Sequence, residues 1–348
     1  MKRFLMPAEW MPHHGTWLSW PHNPETWPVQ IAEVEQALAT AAASLSRSER
    51  VYVNVLDDAH AARVRGLLRT SAFGAGLRED NVSFERIATN DAWCRDHGAI
   101  FVRDADGRLT ALNFRFNSWG GKYPPFDLDD AVPPQMAARL GLPSLAVDYV
   151  LEGGSIETNG AGTLLTTEQC LLNRNRNPER SRAEIEAMLH EYLGAERVLW
   201  LGEGIVGDDT DGHIDDLTRF VAVDTVVTAI EHDPADANYA PLQENRERLE
   251  TLRLADGRGL EVVELPMPDA LIQHGERLPA SYANFYIANA QVLLPVFGCD
   301  RDAEAVAILA RCFPEREIVP IDCSHVVFGL GTLHCLTQQV PELGPAAR

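Results

Sequence analysis

Apolar and polar positions change period along the chain in a recurring order. Ile31–Leu45 carries apolar residues at helical spacing, and residues 51–56 form a nearly continuous apolar run, as a buried strand requires. Ahead of them, Trp17, Leu18 and Trp20 suit a short strand ended by Pro21. Residues 82–87 read as another strand, followed by a polar loop over 90–96 and a strand pair, 99–102 with 109–114, folded across Asp106-Gly107. The stretch 117–130, rich in Gly, Pro and Asp, reads as a surface loop.

The order then repeats. A strand over 145–150 runs into Glu152-Gly153-Gly154, a hairpin turns at Asn159-Gly160, and a helix is expected over 182–193 with Gly194 as its stop. A strand over 197–201 leads to an acidic loop, a strand pair over 220–230 and a helix over 238–254. A fourth strand, 261–265, precedes a loop holding His274 and a strand pair over 285–296. A helix over 303–312, a strand over 317–321 and a glycine-rich loop carrying Cys335 close the series. The hairpin turns near Asp106, Asn159, Asp224 and Ala290 are spaced by roughly 55–65 residues. About five such units predict an α/β fold of radially repeated elements, forming one domain over residues 1–348. Each unit would send the loop after its first strand to a common centre.

Composition narrows the class. Of 348 residues, 45% are hydrophobic, enough for a large core, and no apolar run approaches the length of a membrane span. The basic start lacks a signal-peptide apolar core, so the cytoplasm is expected. The formal charge of −21, from 51 acids against 30 bases, disfavours nucleic acid and anionic membranes as partners and favours small cations. Six cysteines without a C-x-x-C pair predict free thiols, and their spacing offers no zinc site.

The chemically capable residues fall in the loops. Asp91 and Asp96 flank Trp93, a combination that can line a cation pocket, or else cap a turn and pair with Arg95. Glu152 precedes two glycines that permit close approach of a ligand; a turn on the surface is the plainer alternative. The stretch 207–216 holds His213 and five aspartates, but its spacing does not fit a calcium loop. His213 and Asp215, two apart at the head of a strand, would share a side, whereas His334 and Cys335, adjacent in a strand, would diverge. His213 is thus the expected partner of Cys335; His97, His274 and His325 are less favoured. A thiol beside carboxylates is held neutral, which suits a cationic substrate, and paired carboxylates select a planar guanidinium.

Six ordered motifs carry a resemblance: Pro7-Ala8-Glu9-Trp10, Trp17-Leu18-Ser19-Trp20-Pro21, Asn90-Asp91-Ala92-Trp93-Cys94-Arg95-Asp96, Leu151-Glu152-Gly153-Gly154-Ser155, Gly212-His213-Ile214-Asp215 and His334-Cys335-Leu336-Thr337-Gln338-Gln339. Across nearly the whole chain it resembles the agmatine deiminase family, within the guanidine-modifying superfamily of arginine and peptidyl-arginine deiminases. The resemblance implies a five-bladed α/β propeller (pentein) with pseudo-fivefold repeats. It makes Cys335 the nucleophile and His213 the proton shuttle, with Asp96 and Asp215 gripping the guanidinium, Glu152 beside them, and Trp93 and Gly331 in the substrate pocket. It implies hydrolysis of agmatine to N-carbamoylputrescine and ammonia, with no metal or organic cofactor, and homo-oligomerisation as a family expectation. Leu330 and Thr332 interrupt the glycine run and asparagine that many members carry there, a departure that bears on the substrate's far end. The alternatives are a deiminase of free or peptidyl arginine, for which Arg174 or Arg176, which read more plainly as solvent-facing loop residues, would have to reach the pocket, a non-catalytic guanidine or polyamine binder, and a calcium module over 208–216.

Overall fold

The computed structural model describes residues 4–344. Among the described residues five sheets share one pairing plan, and a sixth is the two-stranded hairpin of Ile272–Gln273 with Glu276–Arg277. In each of the five, two strands pair antiparallel and the second pairs parallel with a third. Ile100–Arg103, Leu109–Arg115 and Ser144–Val150 form one such sheet. Glu157–Thr158, Thr163–Thr167 and Arg197–Leu201 form the next, followed by Thr218–Phe220, Thr225–Ile230 and Glu261–Pro266. Tyr286–Ile287, Gln291–Val296 and Glu317–Asp322 make the fourth. The fifth joins the chain ends: Thr337–Pro341 pairs antiparallel with His13–Ser19, which pairs parallel with Arg50–Asn54, and Val82–Glu85 adds a further parallel strand. The chain is α/β.

A parallel pair needs a crossover, and helices supply it. They are Ile31–Leu45, Asp58–Thr70, Val132–Leu140, Arg182–Met188, Tyr239–Thr251 and Arg301–Cys312. Arg182–Met188 shows how local sequence sets such an element. Ser181 and Glu184 form a reciprocal capping box, the next turn widens over Leu189–Leu193, and Gly194, at φ 74°, ends it.

Because each middle strand is covered on both sides, it reads as an apolar run, as in Gln291–Val296. Trp17, Trp20 and Trp27 are fully buried, so the tryptophan-rich opening is core. No described helix is long and apolar enough to cross a membrane.

The functional loops follow Val82–Glu85, Ser144–Val150, Arg197–Leu201, Glu261–Pro266 and Glu317–Asp322, each the strand that opens a unit in the sequence, as expected. Five loops leave these edges, and they carry Asp96, Glu152, His213 with Asp215, Asn284 and Cys335.

Candidate active site

The first loop sets Asp96 on the single turn Cys94–His97. Its Oδ1 accepts from the Gly154 backbone N at 3.0 Å and its Oδ2 from Trp119 Nε1 at 2.9 Å. Gly154 has to be glycine: a Cβ there would stand 2.6 Å from His213 Nδ1, 2.9 Å from Asp96 Oδ1 and 3.0 Å from Asp215 Oδ2. The second loop thus fits its backbone among the side chains of two others.

His213 is fully buried, with Nδ1 3.8 Å from Asp96 and 4.0 Å from Asp215. Burial alone would lower its pKa, but Asp96, Cys170 and Asp215 outweigh burial and hold it well above the ordinary histidine value. His213 does not head a strand. It precedes the turn Ile214–Asp216, and that turn brings Asp215 to the same centre.

Cys335 lies in a turn before Thr337–Pro341, with Sγ 3.7 Å from Asp215 Oδ2. Burial and the charges of Asp215, Asp216 and Asp96 push its thiol well above the usual value. A Cβ on Gly331 would meet Trp93 at 2.7 Å and Cys335 Sγ at 3.1 Å, so glycine lets the loop pass between indole and thiol.

The expectation that His334 turns away from the site is corrected. Because residues 334 and 335 sit in a turn, strand alternation does not apply. His334 Nδ1 meets Asp215 Oδ2 at 2.6 Å and Nε2 meets Glu9 Oε2 at 2.8 Å. Glu9 in turn binds Arg219 at 2.9 Å and Arg95 at 3.2 Å, and Arg219 binds Glu157 at 2.7 Å. This buried ion network carries the floor of the site. In the sequence Glu9 stands out only as part of a motif, because its partners lie far along the chain.

Arg176 is likewise no solvent-facing loop residue. It is buried, donating to Glu152 Oε1 at 2.6 Å, to Asp211 Oδ2 at 2.5 Å and to the Thr210 carbonyl at 2.7 Å. Arg174 is exposed. The five aspartates of 207–216 also diverge. Asp208 accepts from the backbone of Thr210, Gly212 and His213, Asp209 from Tyr123, Asp211 from Arg176, Asp215 from His334 and Asp216 from Asn284. They brace other elements and do not converge as a calcium loop would.

Within the buried floor, Glu152 Oε2, Asp215 Oδ1 and both ring nitrogens of His213 have no hydrogen-bond partner. Buried polar atoms are seldom left so, and two free acceptors with an imidazole suit a ligand that brings N–H donors. Two sets, Glu152 with Cys170 and His213, and Asp215 with Asp216 and Cys335, have atoms close enough for one metal ion. In the first set Arg176 already occupies Glu152 with a positive charge.

A cavity of about 710 Å³ opens above this floor and reaches Cys335, Asp96, Trp93 and Gly331. Asp91, Asp129, Asp209 and Glu25 also line it along with Lys122, and no arginine does. The stretch expected to be a surface loop forms one wall. Ser118, Trp119, Gly120 and Gly121 take successive left-handed conformations, at φ 54°, 53°, 94° and 80°. Two of them are not glycine, so the strap is strained, and the strain aims Trp119 at Asp96. His274 is exposed at a hairpin tip, away from the site.

The model of the Porphyromonas-type peptidyl-arginine deiminase family matches residues 5–341. The chain belongs to that family. A relative from Selenomonas ruminantium, provisionally named an agmatine deiminase, is 40% identical over 98% of this chain and 96% of its own length. The agmatine deiminase of Ectopseudomonas mendocina is 39% identical, covering 97% and 95%. Among solved structures, a variant of the C. jejuni agmatine deiminase with substrate bound superposes with a TM-score of 0.86 at 32% identity, over 97% of this chain and 96% of that one. The family's relatives therefore span the chain end to end, matching a site assembled from all five loops.

Proposed function

We propose that this chain is an agmatine deiminase, hydrolysing agmatine to N-carbamoylputrescine and ammonia, and that its five similarly paired sheets are the blades of one propeller forming a single catalytic unit. The observation that carries the reading is a buried thiol held neutral beside Asp96, Asp215 and Asp216, in a floor where Glu152 Oε2 and Asp215 Oδ1 have no partner. A guanidinium bound between Asp96 and Asp215 supplies the positive charge that these carboxylates lack. It makes the thiolate accessible only when substrate is present.

Cys335 then gives its proton to water in the cavity and Sγ attacks the guanidinium carbon. The raised pKa of His213 keeps the ring protonated, and it gives its proton to one nitrogen of the tetrahedral adduct. That nitrogen leaves as ammonia, and a cationic thiouronium remains on Cys335. The now neutral His213 takes a proton from water, the hydroxide adds to the same carbon, and the C–S bond breaks as the urea carbonyl forms, the hydroxyl proton passing to the departing sulfur to restore the neutral thiol. Glu152, held by Arg176, accepts from the guanidinium, and Trp93 walls the channel.

The far end decides between substrates. Agmatine ends in an ammonium, and acids outnumber the single lysine in the lining of the cavity. Arginine would end in a carboxylate, and the buried arginines near the site are already engaged, Arg176 with Glu152 and Asp211, and Arg95 and Arg219 with Glu9. The test is ammonia release from agmatine and from free arginine, with Cys335→Ala as control. Release from agmatine alone, abolished in the variant, is expected; release from arginine at a comparable rate would overturn the substrate.

A further inference from the structure

Asn284 is fully buried on the one catalytic-edge loop in which the sequence showed no chemistry. Its Oδ1 lies 2.8 Å from Thr332 Oγ1, 3.0 Å from the His334 backbone N and 3.3 Å from the Cys335 backbone N. Backbone N–H groups can only donate, so the atom facing them must be the amide oxygen, and the orientation of the amide is fixed. Its Nδ2 then points the other way, 3.1 Å from Cys335 Sγ and 3.0 Å from Asp216 Oδ1. The amide has two hydrogens, and there are two acceptors for them.

Every other charged group facing the sulfur is accounted for. Asp96 comes from the turn Cys94–His97, and Asp215 and Asp216 from Ile214–Asp216; all three oppose negative charge on Sγ. His213 stands beside Asp96 and Asp215, and His334 is engaged with Asp215 and Glu9. Asn284 is the neutral donor aimed at the sulfur itself.

We infer that Asn284 is a catalytic residue: its amide N–H holds the Cys335 thiolate as it forms, and the Thr332–Cys335 loop aims that amide. The inference rests on Cys335 being the nucleophile. It also gives the departure at Thr332 a role, since the Thr332 hydroxyl is one of the three donors that lock the amide. A hydrogen bond to a charged acceptor is about twice as strong as one to a neutral acceptor, so the contact favours thiolate over thiol.

The test is alkylation of Cys335 by iodoacetamide, followed by peptide mass spectrometry from about pH 6 to 10. It compares the unmodified protein, Asn284→Ala and Asn284→Asp. The aspartate keeps an acceptor for Thr332 and the two backbone N–H groups, so its loop should stay folded while the donor to sulfur is lost. Both variants should alkylate Cys335 about tenfold more slowly at pH 8, with the profile displaced to higher pH. If the alanine variant does not fold, Thr332→Val replaces it. That change adds no charge and is expected to slow alkylation about two- to threefold. An unchanged profile in folded Asn284→Asp overturns the inference, as does slowing confined to the aspartate variant, which would be a charge effect. Agmatine turnover, measured alongside, separates the two claims. A displaced profile without turnover fails the substrate reading and leaves Asn284 standing, whereas turnover with an unmoved profile fails Asn284 alone.

Discussion

The floor of the cavity and its rim both present carboxylates, but they hold them differently. At the floor, Asp215 is bound by His334, His334 by Glu9, and Glu9 by two arginines, all buried. At the rim, Asp209 is half-buried and bound by the Tyr123 hydroxyl, and Glu25 is exposed. In low dielectric a misplaced charge costs several kcal/mol, so the floor is fixed by a network whose every member has a partner. Near water the same charges interact weakly and can follow a flexible substrate tail. Reaction geometry is therefore rigid, while recognition of the far end is adjustable. Trp119 links the two, for it belongs to the strained strap of the rim but donates to Asp96 of the floor.

The contrast makes ordered demands. The largest effect should come from His213→Ala, which removes the only proton carrier in the scheme above. A loss of kcat/KM of about a thousandfold or more is expected in the ammonia assay, with Tm little changed. A loss under about tenfold would remove His213 from the mechanism.

Glu9→Gln should act on stability. It leaves Arg95, Arg219 and His334 without their shared carboxylate, at a cost of about 3–5 kcal/mol read from denaturant unfolding. Burial would raise the pKa of Glu9, but Arg219, His334 and Arg95 overcome it and depress that pKa well below 4.5. A depressed folded pKa means that this stabilisation is fully present above about pH 4.5 and is lost as the pH falls through the folded value. The variant should therefore lose less stability on acidification than the parent, and an equal or steeper acid loss would contradict the network.

Trp119→Phe is next. It keeps the wall but removes one donor to Asp96, and kcat/KM for agmatine should fall about tenfold. If the Asp96 pKa, already raised by burial, governs substrate affinity, the loss should deepen as pH is lowered, since protonated Asp96 cannot pair with a cation. Tyr123→Phe, at the half-exposed rim, should give the smallest change. KM should rise by no more than about threefold and Tm should hold. A tenfold effect would show that the rim is as rigid as the floor and erase the distinction.

Much of this was legible in the sequence, and the reason is local. Strand, turn and helix follow from residue period and from caps such as Ser181 with Glu184 and Gly194, which act within a few positions. The candidate groups Asp96, Glu152, His213, Asp215 and Cys335 stood out because loops rich in glycine and acids interrupt apolar strands, and the structure brings all five together. What was misread involved pairing over distance. Arg176 looked exposed because its loop is polar, yet Glu152 and Asp211 pull it inside. Strand alternation turns His334 away from Cys335, but a turn stands there and alternation does not apply. The stretch 117–130 looked like surface because glycine and proline mark loops, whether or not they wall a cavity.

By itself the sequence determined the order of elements, the apolar faces that must be covered and the supply of reactive groups, since these depend on neighbours in the chain. Only the tertiary structure decided which charges meet. Glu9 contacts residues 95, 219 and 334, and Asn284 contacts Thr332 and Cys335 across some fifty positions. A carboxylate or an amide carries no mark of its partner until folding excludes water and sets two distant loops within hydrogen-bond reach. There the cost of leaving either group unpaired fixes the arrangement.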